Sequence, residues 1–256
     1  MQERIEVAAQ MYTVRQYTQT ENDIEKSLYR IKQIGYSAVQ VSAFGTYRPE
    51  FLRDVLQENG LRAVATHTPY ERILLDTDTV IKEHKIAGIP VVGLGYRRFM
   101  SIEETDAFLD EILPAARRIR DAGLRFAYHN HQWEFVRFGG VRPMDRILER
   151  TSPEEIALIA DAYWLQYAGV SPQRFLRENA ERIALVHFKD MRLDAADGTQ
   201  RFAEVGAGNI DHDELVSAMR ETGIGCAAVE QDECYGEDPF DCLRQSREYI
   251  KNRYGI

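Results

Sequence analysis

The stretch Tyr128-His129-Asn130-His131-Gln132-Trp133-Glu134-Phe135 ends an apolar run and packs two imidazoles, an amide and a carboxylate into a strand terminus. Burying that many ligand-capable groups is costly unless they are paired, so the stretch reads as a site before it reads as packing. Working outward, three further clusters follow: Ala160-Asp161-Ala162-Tyr163-Trp164, Val186-His187-Phe188-Lys189-Asp190 and Val229-Glu230-Gln231-Asp232. The steps from Glu134 to Asp161 and from Asp161 to His187 each match one strand-helix unit, and the step to Glu230 is longer. Polar clusters repeating at that interval are what a βα repeat produces.

The rest of the chain keeps the same rhythm, with short apolar or β-branched runs alternating with amphipathic stretches. Eight units can be counted, with strands expected at 5–11, 38–42, 61–67, 91–95, from 125 into the His-rich stretch, and at 156–160, 184–188 and 226–231. Helical spacing runs through Ile24, Leu28 and Ile31 to a stop at Gly35, through 48–59 to Gly60, and through Val80, Ile81 and His84 to Gly88. Ser101 and Glu104 form a capping box ahead of the clearest helix, which should kink at Pro114. Shorter helices are expected at 143–150 and 175–183. The longer gap before Glu230 is explained by a loop over 192–210 carrying Asp197-Gly198 and Gly206-Ala207-Gly208. Asp211 then caps a helix burying Leu215 and Met219, and Asp238-Pro239 starts the last one.

With 256 residues and 44% hydrophobic content, the chain matches one (β/α)8 TIM barrel, a fold of about 250 residues, so residues 1–256 are expected to form a single domain. A net charge of −9 and the lack of any Lys/Arg run argue against nucleic acid as a partner. No apolar stretch approaches the roughly 20 residues of a membrane span, and the opening Met1-Gln2-Glu3-Arg4-Ile5-Glu6-Val7 has no signal-like core, so a cytoplasmic protein is expected. Cys226, Cys234 and Cys242 lack Cys-x-x-Cys spacing and read as reduced thiols.

If eight units close into a barrel, their strand ends converge on the rim where barrel enzymes place their chemistry. Glu134, Asp161, His187 and Glu230 would then meet on neighbouring strands and could surround one divalent ion. Three carboxylates with one imidazole suit manganese first, then magnesium or cobalt, better than a structural zinc.

Through Tyr-His-Asn-His-x-x-Glu-Phe at 128–135, Asp-x-Tyr-Trp at 161–164 and His-x-Lys-Asp at 187–190, the sequence resembles the sugar phosphate isomerase/epimerase family with the xylose isomerase-like barrel. Gly-x-Gly-x-Ile-Asp at 206–211, Val-Glu-x-Asp at 229–232 and the opening Gln10-Met11-Tyr12-Thr13-Val14 extend the likeness over nearly the whole chain. Ala160 departs from the Leu that relatives often carry before Asp161. The resemblance implies Glu134, Asp161, His187 and Glu230 as ligands of one divalent ion, with manganese, magnesium, cobalt or zinc as candidates.

Each residue also has an ordinary reading. A strand-end Glu is commonly a solvated loop residue, and only the repetition on successive strands favours a metal site. His129 and His131 share one face of their strand while Tyr128 and Asn130 take the other, and which face is inside stays open. His131 rivals Glu134 as a ligand and is also a candidate catalytic group. Lys189 should point to the same side as His187, either to neutralise an enolate or simply to pair with Asp190. His67, His129, Trp133 and Trp164 are candidates for contact with a sugar, the Trp rings by stacking. The Gly206–Gly208 turn could hold a phosphate on its backbone N–H groups, although a plain tight turn is the stronger reading. His84 and His212 receive no role.

The leading expectation is a metal-dependent isomerase or epimerase that abstracts a proton α to the carbonyl of a keto sugar, with Glu134 and Glu230 as base and acid. The alternative is a lyase, dehydratase or hydrolase acting on 3-keto-glycosides or inososes. A metal-dependent endonuclease and a non-catalytic sugar-binding barrel are weaker readings. A small sugar is the expected partner, and homo-oligomerisation is left open.

Overall fold

The computed structural model describes residues 5–256, so Met1 to Arg4 of the expected opening segment lie outside the described residues. Its strands are β1 (Glu6–Gln10), β2 (Ala38–Val41), β3 (Arg62–Thr66), β4 (Val91–Leu94), β5 (Arg125–His129), β6 (Ala157–Asp161), β7 (Ile183–Phe188), β8 (Asp190–Leu193), β9 (Gln200–Ala203) and β10 (Cys226–Val229). Eight of them form one sheet in the order β3-β2-β1-β10-β7-β6-β5-β4, with neighbouring strands paired in parallel. Where the two ends of this sheet approach, the Thr68 N–H donates to the Gly93 carbonyl at 2.7 Å, and the barrel is nearly closed.

Outside the strands lie α1 (Glu21–Ile34), α2 (Pro49–Glu58), α3 (Tyr70–Leu75), α4 (Thr77–Ala87), α5 (Ile102–Asp121), α6 (Pro143–Arg150), α7 (Ala162–Tyr167), α8 (Pro172–Glu178), α9 (His212–Thr222) and α10 (Pro239–Tyr254). The end signals read from sequence act as expected. The Ser101 hydroxyl accepts from the Glu104 N–H at 3.2 Å, and Gly35 leaves α1 at φ 104°, a left-handed value that favours glycine. Helix α5 continues through Pro114 to Asp121. None of the described helices is long and apolar enough to cross a membrane.

One segment differs from expectation. Residues 192–210 do not form a plain loop, because β8 and β9 pair antiparallel within this region, with Leu193 opposite Gln200. Asp197-Gly198 supplies the turn: Gly198 sits at φ 71°, and the Asp197 carboxylate accepts from the Thr199 N–H at 2.9 Å. The strands are short and partly exposed, so the segment has little apolar alternation to reveal it.

Two cores divide the strand residues by parity. Phe126, Tyr128, Leu158, Val186 and Val229 join the large core beneath the helices, whereas Ala8, Ala38, Ala127, Ile159, Leu185 and Ala228 fill the barrel interior. Side chains alternate along a strand, so the residue two positions beyond an interior one faces the same side. For those six interior residues the next inward positions are Gln10, Gln40, His129, Asp161, His187 and Glu230. The inner core therefore runs directly into a polar layer at the C-terminal mouth.

Candidate functional site

Four members of that layer meet. One ligand atom each from His129, Asp161, His187 and Glu230 lies within 4.8 Å of the others, and all four residues are buried. The second nitrogen of each imidazole decides how the rings face. His129 Nδ1 is 2.9 Å from the Gly95 carbonyl and His187 Nε2 is 2.7 Å from Gln40 Oε1. Both partners can only accept, so those nitrogens carry the ring protons, an assignment made from the partners. In the neutral rings His129 Nε2 and His187 Nδ1 then present lone pairs to the carboxylates: His129 Nε2 is 3.2 Å from Asp161 Oδ2, and His187 Nδ1 is 2.9 Å from Glu230 Oε2. Acceptor facing acceptor needs positive charge between: burial would lower the His187 pKa but Glu230 and Asp161 raise it, the Lys189 ammonium meets Glu230 Oε2, and a bound ion could supply the same charge. Imidazoles held by outer acceptors and aimed at carboxylates form the donor arrangement of a metal site, and the cluster could hold one divalent ion.

Lys189 supplies cationic charge at the same place. Its Nζ lies 3.1 Å from Asp161 Oδ2, 2.8 Å from Glu230 Oε2 and 3.0 Å from Asp232 Oδ1, and the residue is buried. Burial alone would lower the Lys189 pKa, but the surrounding Asp161, Asp232 and Glu230 hold it well above the ordinary range. Burial works to raise Asp161 and Glu230, and Lys189 reverses this, leaving both well below theirs. Asp232 moves the other way, pushed up by burial to about 6 against the pull of Lys189. Above these groups opens a cleft of ≈ 380 Å³ lined by His67, His129, His131, Lys189, Glu230 and Asp232 together with Tyr12, Tyr70 and Tyr96.

The sequence-predicted residues divide between this cluster and other surroundings. Asp161, His187 and Glu230 come together as expected, joined by His129, which the sequence offered as a substrate contact. Glu134 takes a different position on the turn after β5 and is fully buried. Its Oε1 accepts from the Tyr128 hydroxyl at 2.5 Å and its Oε2 from the His131 N–H at 2.8 Å. Burial pushes its carboxyl up to about 7, against the lowering effect of those bonds. His131 lines the cleft with its ring 4.7 Å from that of His129 and its Nδ1 unpartnered. His67 lines it too, with Nδ1 3.2 Å from both Gln10 Nε2 and Ser42 Oγ. Trp164 stands 5.3 Å from the His131 ring and Trp133 lies under the Arg98 guanidinium at 4.0 Å, and neither is among the cleft-lining residues.

Two ordinary readings are decided by the geometry. Lys189 faces Asp232 and the cluster, whereas the Asp190 carboxylate accepts N–H groups from Met191, Gly206, Gly208 and Ile210 at 2.7 to 3.1 Å. The Gly206–Gly208 turn is thus latched onto Asp190, and its amides are taken. Gln40 and Ser42 were not singled out from sequence, and Gln10 and Asp232 stood in quoted motifs without a role of their own. Asp232 had a usable signal, because it follows Glu230 by two residues as Lys189 follows His187.

Fold and site together define a (β/α)8 barrel with a buried cluster of two imidazoles and two carboxylates, able to hold a metal ion, at the mouth that carries barrel chemistry. The chain belongs to the Xylose isomerase-like TIM barrel family, whose pattern matches residues 28–253. Among curated proteins it is 25% identical to an inosose dehydratase of Clostridium beijerinckii, over 94% of this chain and 83% of that protein. Among solved structures it resembles a sugar phosphate isomerase/epimerase from Parabacteroides distasonis, with a TM-score of 0.78 and 19% identity over 99% and 96% of the two chains. It also resembles the protein IolI, whose structure holds a zinc atom, with a TM-score of 0.71 and 14% identity over 97% of each chain.

Proposed function

We propose that this chain is a metal-dependent lyase that removes a β-substituent, water in the simplest case, from a keto-cyclitol or keto sugar. The observation that carries this reading is the pair of imidazoles turned lone-pair-inward on Asp161 and Glu230 at the foot of a polar cleft. Elimination is favoured over epimerisation because the curated relative matching 94% of the chain is named for a dehydration.

His129, Asp161, His187 and Glu230 would hold the ion. Two imidazoles with two carboxylates are softer than the three-carboxylate set expected from sequence, which makes zinc a candidate beside manganese and weakens magnesium. Bound there, the ion supplies positive charge that polarises the substrate carbonyl. The protein's own groups do the rest. Lys189 faces the cleft and offsets negative charge growing on the carbonyl oxygen. Glu230 and His131 are the cleft groups placed to take the α proton. As the C–H electrons form the new double bond, the β C–O bond breaks and its oxygen leaves with the electron pair. That oxygen needs a proton, which Asp232, 3.0 Å from Lys189, is placed to give. Glu134 is a positioning residue, fixing the His131 backbone and the Tyr128 hydroxyl.

The test is incubation of the metal-loaded protein with scyllo-inosose and a panel of ketoses in D₂O, followed by NMR. Loss of water to a diketone is expected from the inosose. Deuterium exchange with epimerised ketose and no elimination would replace this reading with the isomerase one.

A further inference from the structure

The reaction described above uses none of the three cysteines, and their surroundings differ. Cys226 opens β10 at the end of the barrel away from the cleft, where burial pushes its thiol up to about 12. Cys234 and Cys242 lie past the other end of that strand, on the loop after β10 and in the first turn of α10. There the Cys242 thiol hydrogen-bonds the Cys234 sulfur and the Glu204 carboxylate. Cys242 is fully buried, whereas Cys234 is half-buried and lines a polar cavity of ≈ 460 Å³ with Arg15, Asp232 and Tyr235.

The loop is folded so as to bring these two sulfurs together. Tyr235 and Gly236 stand at φ 50° and 94°, and a left-handed backbone at a non-glycine residue persists only where surroundings impose it. Here the Tyr235 hydroxyl accepts from the Phe202 N–H of β9 at 3.0 Å, and the Cys234 carbonyl accepts from the Glu237 N–H at 3.0 Å. Asp238 then caps α10, taking the Phe240 N–H at 2.8 Å, and the Cys242 N–H donates to the Asp238 carbonyl at 3.1 Å. The chain thus returns on itself between the cysteines, and a helix thiol meets a loop sulfur.

The two thiols are unequal in the way a redox pair needs. The bond from Cys242 holds the Cys234 thiol below its ordinary pKa against the effect of burial, and the same bond, with burial, holds Cys242 well above its own. Thiolate character and access together select the cysteine that oxidises first, and a protonated thiol in contact with it is placed to resolve the product. Glu204, whose Oε1 accepts from the Gln231 amide at 3.4 Å, stands beside Cys242 as a group able to take its proton.

We propose that Cys234 and Cys242 form a reversible redox modification site that reacts with hydrogen peroxide and ties the loop after β10 to α10 by a disulfide. The Cys234 thiolate attacks one peroxide oxygen, the O–O bond breaks, and the other oxygen leaves as hydroxide and takes a proton from solvent to become water. Cys242 then gives its proton to Glu204 as its sulfur attacks the sulfur of the Cys234 sulfenic acid. The S–O bond breaks, and the departing hydroxide collects that proton as a second water. The sulfurs have lost two electrons to the peroxide, and a thiol reductant returns them by exchange. Asp232, 3.0 Å from Lys189, carries the same loop into the cleft. The chemistry of the pair does not depend on which substrate the cleft takes.

The test treats the whole protein with hydrogen peroxide, alkylates the remaining thiols and reads residues 221–244, which carry all three cysteines, by fragmentation mass spectrometry. Wild type should lose two hydrogens across Cys234 and Cys242 with Cys226 alone alkylated, and dithiothreitol should restore both thiols. Cys242→Ser should hold Cys234 as a sulfenic acid trapped by dimedone, and Cys234→Ser should slow oxidation of Cys242 by about tenfold or more. The wild-type readout needs neither variant to fold. Cys234 oxidising no faster than Cys226, or a dimedone adduct at Cys234 as abundant in wild type as in Cys242→Ser, would overturn the pair.

Discussion

Replacing Glu134 by Gln separates two roles for this residue, ligand and positioning group, and its effect can be worked out in advance. Burial raises the carboxyl from 4.5 to about 7 in the folded chain, so the folded state binds this proton more tightly than the unfolded state does. The associated stability is fully present below pH 4.5 and is lost as pH rises through 7. At 1.36 kcal/mol per pKa unit, the change between pH 5 and pH 8 comes to about 2–3 kcal/mol. Gln does not titrate, so wild type minus variant stability should fall by about that amount over this range, whatever other groups titrate in both. Urea unfolding at several pH values measures it. Metal content by elemental analysis should stay at the wild-type level, because both carboxylate oxygens are already engaged by Tyr128 and the His131 N–H. Identical pH slopes in the two proteins, or loss of the metal in the variant, would refute the assignment and return Glu134 to the ligand set.

Gln40→Leu removes the acceptor that fixes the His187 ring, and metal affinity measured by chelator competition should fall about 10- to 100-fold with the fold intact. Unchanged affinity would show that the ring needs no such partner. Asp190→Asn turns the oxygen serving Gly206 and Gly208 into an amide N–H₂, leaving two N–H groups without their acceptor, for a loss of about 2–4 kcal/mol read as a lower urea midpoint. A midpoint equal to wild type would mean the turn does not depend on this latch. Lys189→Met removes the ammonium that shares Asp161 and Glu230 with a bound ion, so metal should bind more tightly while turnover drops by about 10²–10³-fold. Weaker metal binding would show that Lys189 organises the carboxylates rather than competing for them.

The barrel was legible because its signals are local: apolar runs at a regular interval, Gly35 and Gly88 ending helices, and Ser101 starting one. The β8–β9 hairpin was not, since its pairing depends on one turn and four-residue strands. The site was legible by type and strand, but not by which residue of the densest stretch points inward. His129 and Glu134 both offered a ligand, and spacing between motifs could not choose between them. Strand parity could have chosen. In β1, β2, β5 and β10 an alanine stands two residues before the polar residue at the mouth, namely Ala8 before Gln10, Ala38 before Gln40, Ala127 before His129 and Ala228 before Glu230. In β5 the small Ala127 stands between the large Phe126 and Tyr128, which marks it as the inward residue of a barrel strand, and the period of two leads from it to His129. Glu134 lies beyond the strand, on a 3-10 turn where this parity no longer holds, and it folds back against Tyr128 on the outward face. The same backbone that turns one carboxylate out of the cluster turns the adjoining imidazole into it, and in the proposed metal site this exchange of one oxygen donor for one nitrogen donor sets zinc alongside manganese as the ion to test.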